Sequence, residues 1–385
     1  LHNRSNGGFT EMTIQRRTLM GAALAAPAIL SGGGAFAQAR GPIRVGLGAP
    51  LTGANATFGA QMREGATQFI TDVNASGGLL GQQLALEAGD DACDPRQAVS
   101  VANQLSGRQV RVVLGHYCSG SSIPASKVYT EEGVLQISPA STNPAYTDNG
   151  AWNTFRTCGR DDQQGAVAGK YIAATYRGKR VAVLHDNSAY GKGLADETKK
   201  AMNAAGLTEQ IYAAYTPGER DYNAVVSRLK AANVDVIYVG GYHTEAGLIV
   251  RQAKEQGMNV TLIGGDALMT NEFWQISGAA GEGTLMTFSS DPRKRPTAAE
   301  VVQRFRARNV DPEGFALYTY AAGQIWAEAA KKVNTVDPRR VADAIKASGP
   351  WQTVLGPIAF DRKGDVTEPD YVFYVWRNGT YAEMS

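Results

Sequence analysis

The chain has 385 residues, with 38 Lys and Arg against 36 Asp and Glu, for a formal net charge of +2. The charges are interspersed and no basic tract or aromatic–basic interleaving occurs, which argues against nucleic acid as a partner. This length is too great for one compact core and implies two domains.

In chain order, the first signal is Arg16-Arg17 ahead of an apolar run from Leu19 to Leu30, followed by Ala35-Phe36-Ala37. A charged start, a short apolar stretch and an A-x-A site together read as a secretory signal. The run has 12 residues, against about 20 for a membrane span. Residues 1–39 are therefore expected to be leader and signal peptide, with Met12 as an alternative start. The Arg pair directly before Thr18-Leu19 also resembles a twin-arginine signal, without the usual Lys.

From Ile43 onward, short apolar strands alternate with amphipathic helices. Strands are predicted at Ile43–Leu47, Leu84–Glu87, Val110–Leu114, Val134–Ile137, Val181–Leu184, Val234–Val239 and Val260–Ile263. Helices are predicted at Gly59–Ala75, from Pro95, and at Ile123–Glu132, Gln163–Tyr176, Gly191–Ala205, Tyr222–Ala231 and Glu245–Gln256. In the first of these, Met62, Ala66, Phe69, Ile70 and Val73 share one face. This rhythm means an α/β fold with doubly wound parallel sheets. No Pro- or Ser-rich linker divides the chain, so the two domains should be joined by short crossings.

Ligands of such sheets sit beyond the carboxyl ends of the strands. Four of these ends are polar and glycine-rich: Gly115–Ser122, Ser138–Thr142, Gly240–His243 and Gly264–Asp266. Ser119–Ser122 opens a helix whose start Pro124 marks; hydroxyls and helix N–H groups there suit a carboxylate, and equally suit ordinary capping. Ser141-Thr142-Asn143-Pro144 repeats the arrangement. Asp266 could meet a ligand ammonium or cap a helix beginning near Asn271.

Enzyme signatures are weak. Pro50 and a missing third glycine spoil a dinucleotide fingerprint at Gly46-Leu47-Gly48, and there is no P-loop or G-x-S-x-G elbow. The four histidines lack metal-like spacing, so neither a metal nor a cofactor is expected. Cys158 sits in a strand-like Phe155-Arg156-Thr157-Cys158 context and reads as a bystander. In an exported protein two of the three cysteines, Cys93, Cys118 and Cys158, should pair; spacing alone does not choose which.

Five segments together resemble the periplasmic leucine/isoleucine/valine-binding proteins: Asp90–Val99, Gly115–Ser119, Ala189–Leu194, Gly240–His243 and Leu355–Ile358. The similarity runs from about Ile43 to Thr380. It implies a type I periplasmic binding fold of two lobes joined by three crossings. Lobe one would comprise residues 41–160 with 290–370, and lobe two 161–289 with 371–385. It implies a periplasmic, monomeric, non-enzymatic receptor that delivers an aliphatic, branched-chain amino acid to the membrane permease of an ABC transporter. An amide, urea or aromatic acid remains an alternative ligand for the same fold, and a doubly wound enzyme a distant alternative function. The resemblance further implies carboxylate ligands at Ser119 and Thr142, ammonium acceptors in the backbone of Ala140 and Ser141, and closing aromatics at Tyr190 and Tyr242. Phe58 and Phe315 would line the side-chain pocket, and Cys93 would pair with Cys118. Three positions depart from the family: Asp266 replaces a Glu at the ammonium anchor, Tyr117 an aliphatic residue, and Phe58 a frequent Tyr or Trp.

Overall fold

The structure, a computed structural model, describes residues 41–384, so the expected signal peptide lies outside it. The strands run β1 (Ile43–Ala49), β2 (Leu84–Asp90), β3 (Val112–Gly115), β4 (Leu135–Ser138), β5 (Thr154–Arg156), β6 (Val181–His185), β7 (Ile211–Ala214), β8 (Val236–Gly240), β9 (Thr261–Gly264) and β10 (Leu285–Ser289). Four more follow: β11 (Trp351–Thr353), β12 (Gly356–Ile358), β13 (Tyr371–Arg377) and β14 (Thr380–Glu383). One sheet has the order β2-β1-β3-β4-β5, the second β14-β13-β10-β9-β8-β6-β7, and β11-β12 form a separate hairpin.

The central strands β3, β4, β6 and β8 are buried at every position, as expected where helices cover both faces of a parallel sheet. β1–β5 pair in parallel, as do β6–β10. The second sheet is not wholly parallel, because β13 and β14 add an antiparallel edge beside β10. Strand β5 overlaps the strand-like Phe155–Cys158 segment, whereas β7 and β10 to β14 were not predicted; β7, β11, β12 and β14 are only three or four residues long, and the apolar run of β13 was overlooked. Helix Ala56–Ala75 buries Phe58, Met62, Ala66, Phe69 and Ile70, while Val73 is only half-buried.

The chain passes from the first sheet to the second after β5, leaves it after β10, and rejoins it as β13. Between the last two passages, helix Ala316–Val333 packs on helix Ala56–Ala75 and so returns to the first sheet's side. Cys93 and Cys118 are disulfide-bonded, with Cα atoms 5.5 Å apart, and Cys158 is free and buried.

The first passage is held by a buried ion cluster. Arg156 has no exposed surface; its Nε donates to Asp365 Oδ1 at 2.7 Å, and Arg160 Nη1 donates to Asp365 Oδ2 at 2.7 Å. Arg156 also donates to the carbonyls of Ser141 at 2.5 Å and Asn143 at 3.1 Å. Removing one member of a buried pair strands the other charge, which costs about 3–5 kcal/mol. Asp365→Ala should therefore lower the unfolding free energy by about that amount in urea titrations. A loss under about 1 kcal/mol would mean that the carbonyls alone satisfy Arg156.

Candidate ligand cleft

Both sheets share one winding order, in which the first strand lies between the second and third: β2-β1-β3 in one and β7-β6-β8 in the other. Ligands bind where the direction of winding reverses, beyond the strand carboxyl ends. In the first sheet that point lies at the ends of β1 and β3, and Tyr117, Cys118 and Ser119 follow β3 directly. In the second it lies at the ends of β6 and β8, which Tyr190 and Tyr242 follow, with Asp266 just beyond β9.

On the first side, Gly115 takes φ +145°, and a Cβ there would lie 2.1 Å from the Gly48 carbonyl oxygen. Only glycine lets β3 approach β1 this closely before the chain turns outward. The following helix is Ser119–Glu131, with Pro124 inside it rather than at its start. The prediction placed this start four residues late because the first turn, Ser119 to Ser122, carries no apolar face to detect. Asn143 N donates to Ser119 Oγ at 3.2 Å, tying this turn to the loop after β4.

In that loop, both the hydroxyl and the backbone carbonyl of Ser141 have protein partners. Ser141 Oγ is engaged by Ser122 Oγ at 2.6 Å and the Tyr117 carbonyl at 2.9 Å. The Ser141 carbonyl accepts from Arg156 and, at 3.6 Å, from Cys158 Sγ. Ser141 thus has little left for a ligand ammonium. Thr142 Oγ1 and both carboxyl oxygens of Asp161 are buried without hydrogen-bond partners among the described residues. Burial raises the Asp161 carboxyl well above its usual range, with the adjacent Thr142 hydroxyl acting the other way.

On the second side, Asp266 is buried and accepts from Tyr190 Oη at 2.8 Å and Gln164 Nε2 at 3.1 Å, both on Oδ1. Burial pushes its carboxyl up to about 6, while the Tyr190 and Gln164 bonds oppose the shift. Gly265 makes the approach possible: a Cβ there would lie 2.6 Å from Tyr190 Oη and 2.5 Å from Leu194 Cδ2. Asp266 does not cap the helix Asn271–Ser277; Thr270 does, accepting from Glu272 N. The capping alternative for Asp266 is thereby excluded.

The two sides meet. Tyr242 Oη lies 3.1 Å from Cys118 Sγ, and Asn143 Nδ2 donates to the Ala189 carbonyl at 2.6 Å. Between them is a cavity of about 10 Å3 lined by Tyr117, Ser119, Ala140, Tyr190, Tyr242 and Asp266. Phe58 and Phe315 do not line it. They are fully buried behind Tyr117, whose ring stacks on Phe58 with centroids 4.6 Å apart and meets Phe315 edge-on at 5.2 Å. A larger groove of about 540 Å3 among Asp72, Arg304, Tyr320 and Lys331 shares no lining residue with this cavity.

Gln164 and Asp161 were missed in the sequence, because they sit on a helix after a crossing rather than at a strand end. His116 was passed over as a metal ligand. It lies in a buried chain, with Nδ1 2.5 Å from Asp91 Oδ2 and Nε2 3.0 Å from Tyr129 Oη. Tyr129 occupies the nitrogen that a nucleophile would need, so the His–Asp pair is structural. Cys158 is likewise no nucleophile: its thiol is raised by burial, against the pull of Arg156.

A family model described as periplasmic binding protein matches residues 42–380. The Leu/Ile/Val-binding protein homolog 1 of Brucella suis is 49% identical over 364 residues, covering 94% of this chain and 97% of that protein. An amino acid binding protein of Pseudomonas aeruginosa is 45% identical over 355 residues, covering 91% and 95%. Among solved structures, the leucine-binding protein LivK of Thermotoga maritima superposes with a TM-score of 0.83 at 25% identity, covering 89% of this chain and 98% of that one. LivJ of Streptococcus pneumoniae in complex with isoleucine gives 0.81 at 26%, with coverage of 89% and 98%. With its two like-wound sheets facing one cavity, the chain belongs to the periplasmic binding protein family.

Proposed function

We propose that this protein is the extracytoplasmic receptor of an ABC transporter and captures an aliphatic α-amino acid in the cleft between its sheets. The observation that carries this reading is Asp266. It is a buried carboxylate with both protein donors on Oδ1, placed in a cavity whose other polar wall is Ser119 at a helix N-terminus. A carboxylate at one end and a helix start with a hydroxyl at the other match a zwitterion's ammonium and carboxylate. The names of relatives, Leu/Ile/Val-binding and amino acid binding, support the same ligand class.

The proposed lobes are residues 41–160 with 290–370 and 161–289 with 371–385, a division that the strand membership of the two sheets supports. Lobe one receives the ligand at Ser119, Thr142 and the Ala140 carbonyl. Lobe two then closes, bringing Tyr190, Tyr242 and Asp266, and the Tyr242–Cys118 and Asn143–Ala189 bonds form as the cleft shuts. Closure gives the membrane permease a shape to recognise, with periplasmic location and a monomeric state as in the resemblance. No step makes or breaks a covalent bond.

A thermal-shift panel of amino acids, small amides, urea and aromatic acids tests the reading, since a ligand bound by the folded state alone raises the melting temperature. An aliphatic amino acid should give the largest shift. An amide, urea or aromatic acid in first place would overturn the ligand class.

Asp266→Asn provides a second test with opposite signs. In the unfolded chain the carboxyl titrates near 3.8 and in the fold near 6. Its burial therefore costs nothing below the unfolded value. The cost grows as pH rises between the two values and is fully present above about 6. The ligand-free variant should gain stability on wild type between pH 4 and pH 7, by up to about 3 kcal/mol. Its affinity for the amino acid at pH 7.5 should fall at least tenfold, roughly 1.4 kcal/mol. Wild-type affinity should also weaken below about pH 6, where the free carboxyl takes a proton. Urea unfolding and titration calorimetry measure both; unchanged affinity would remove Asp266 from the ammonium site.

A further inference from the structure

The cavity is small for its class. Its volume of about 10 Å3 falls far below the roughly 300–1,000 Å3 usual for small-molecule sites. Three of its six lining residues are tyrosines, Tyr117, Tyr190 and Tyr242. None is free to withdraw without breaking a contact. Tyr190 is held by its bond to Asp266, and Tyr242 by its bond to Cys118 Sγ. Tyr117 is backed by Phe58 and Phe315, both without exposed surface, and His243 meets Phe58 edge-on at 5.4 Å. The depth that Phe58 and Phe315 were expected to line is therefore filled by the Tyr117 ring.

Resting on the amino-acid reading above, we infer that Tyr117 is the residue that limits ligand size, so that the cleft selects amino acids with short side chains, glycine and alanine, over leucine and isoleucine. The polar anchors, Ser119 and Asp266, serve every α-amino acid alike. Discrimination must come from the wall that the side chain meets. A branched side chain directed at Tyr117 has to displace a ring packed against two buried aromatics, and overfilling a close-packed interior is unfavourable. A hydrogen or methyl group demands a smaller displacement of that ring. The relatives named for leucine, isoleucine and valine would then differ from this chain in ligand size and not in how the zwitterion is held.

Titration calorimetry with glycine, alanine, valine and leucine, on wild type, Tyr117→Leu and Tyr117→Phe, tests the inference. Wild type should bind alanine at least tenfold more tightly than leucine. Tyr117→Leu, which opens the depth behind the ring, should shrink that ratio at least tenfold. Tyr117→Phe keeps the ring and should keep the ratio, whatever happens to absolute affinity. Leucine binding wild type as tightly as alanine overturns the inference, even if neither variant folds, and leaves the amino-acid reading standing. A cooperatively folding Tyr117→Leu with the wild-type ratio also overturns it. If wild type binds none of the four, the amino-acid reading fails and the size limit fails with it.

Discussion

Arg156 is a guanidinium with no exposed surface, and three separate stretches of chain converge on it. Asp365 balances its charge, while Thr147 Oγ1 and the Ser141 and Asn143 carbonyls accept from its other donors. A charge taken this far out of water is tolerable only when each donor finds an acceptor in good geometry. The loop after β4, the short helix Ala145–Asp148 and the segment around Asp365 must therefore all be in place together. The same bonds fix the loop that carries Ala140 and Thr142 at the cleft. Arg156 stands at the end of β5, directly before the first passage between the sheets, so one interaction orders both the crossing and one wall of the site.

The cleft itself follows from topology. Each sheet alone offers a polar, glycine-rich rim at its switch point, and neither rim makes an enclosed cavity. Facing each other, the rims supply complementary chemistry: a helix start with Ser119 from one, and Asp266 held by Tyr190 and Gln164 from the other. The glycines set the spacing. Gly115 allows β3 and β1 to converge, and Gly265 lets Tyr190 reach Asp266. The disulfide adds a further tie, since Cys118 is both the residue before the Ser119 helix and the partner of Tyr242 across the cleft.

What the sequence made legible had a local cause. Buried parallel strands leave uninterrupted apolar runs, and their polar, glycine-rich ends pointed to Ser119, Tyr242 and Asp266 before any coordinates. Contacts between distant segments left no such mark: Gln164 and Asp266 are 102 positions apart, and Arg156 and Asp365 are 209 apart. The helix at Ser119 was placed too late because its first turn is polar. Pro124 then looked like a beginning, although it lies in the second turn. Phe58 and Phe315 went astray for another reason. The family places them at the pocket, but an aromatic ring at Tyr117 now stands in front of them, so a change at one position alters what two others touch.

Asp266 gathers these constraints into one trade. Its carboxylate is buried, both of its protein donors fall on one oxygen, and burial raises it to about 6. A structural aspartate would be expected to find donors for both oxygens or to lie nearer water, because a half-satisfied buried charge weakens the fold. A binding site gains from the opposite arrangement: the carboxylate's remaining capacity is available to a ligand cation, and the surrounding low dielectric strengthens that contact. Tyr190 and Gln164 keep the group oriented without neutralising it. The fold thus holds a destabilising charge at the point where the two sheets meet, and a cation entering there relieves it. That relief is a difference in free energy between the empty and filled cleft, which is what any ligand-driven closure requires.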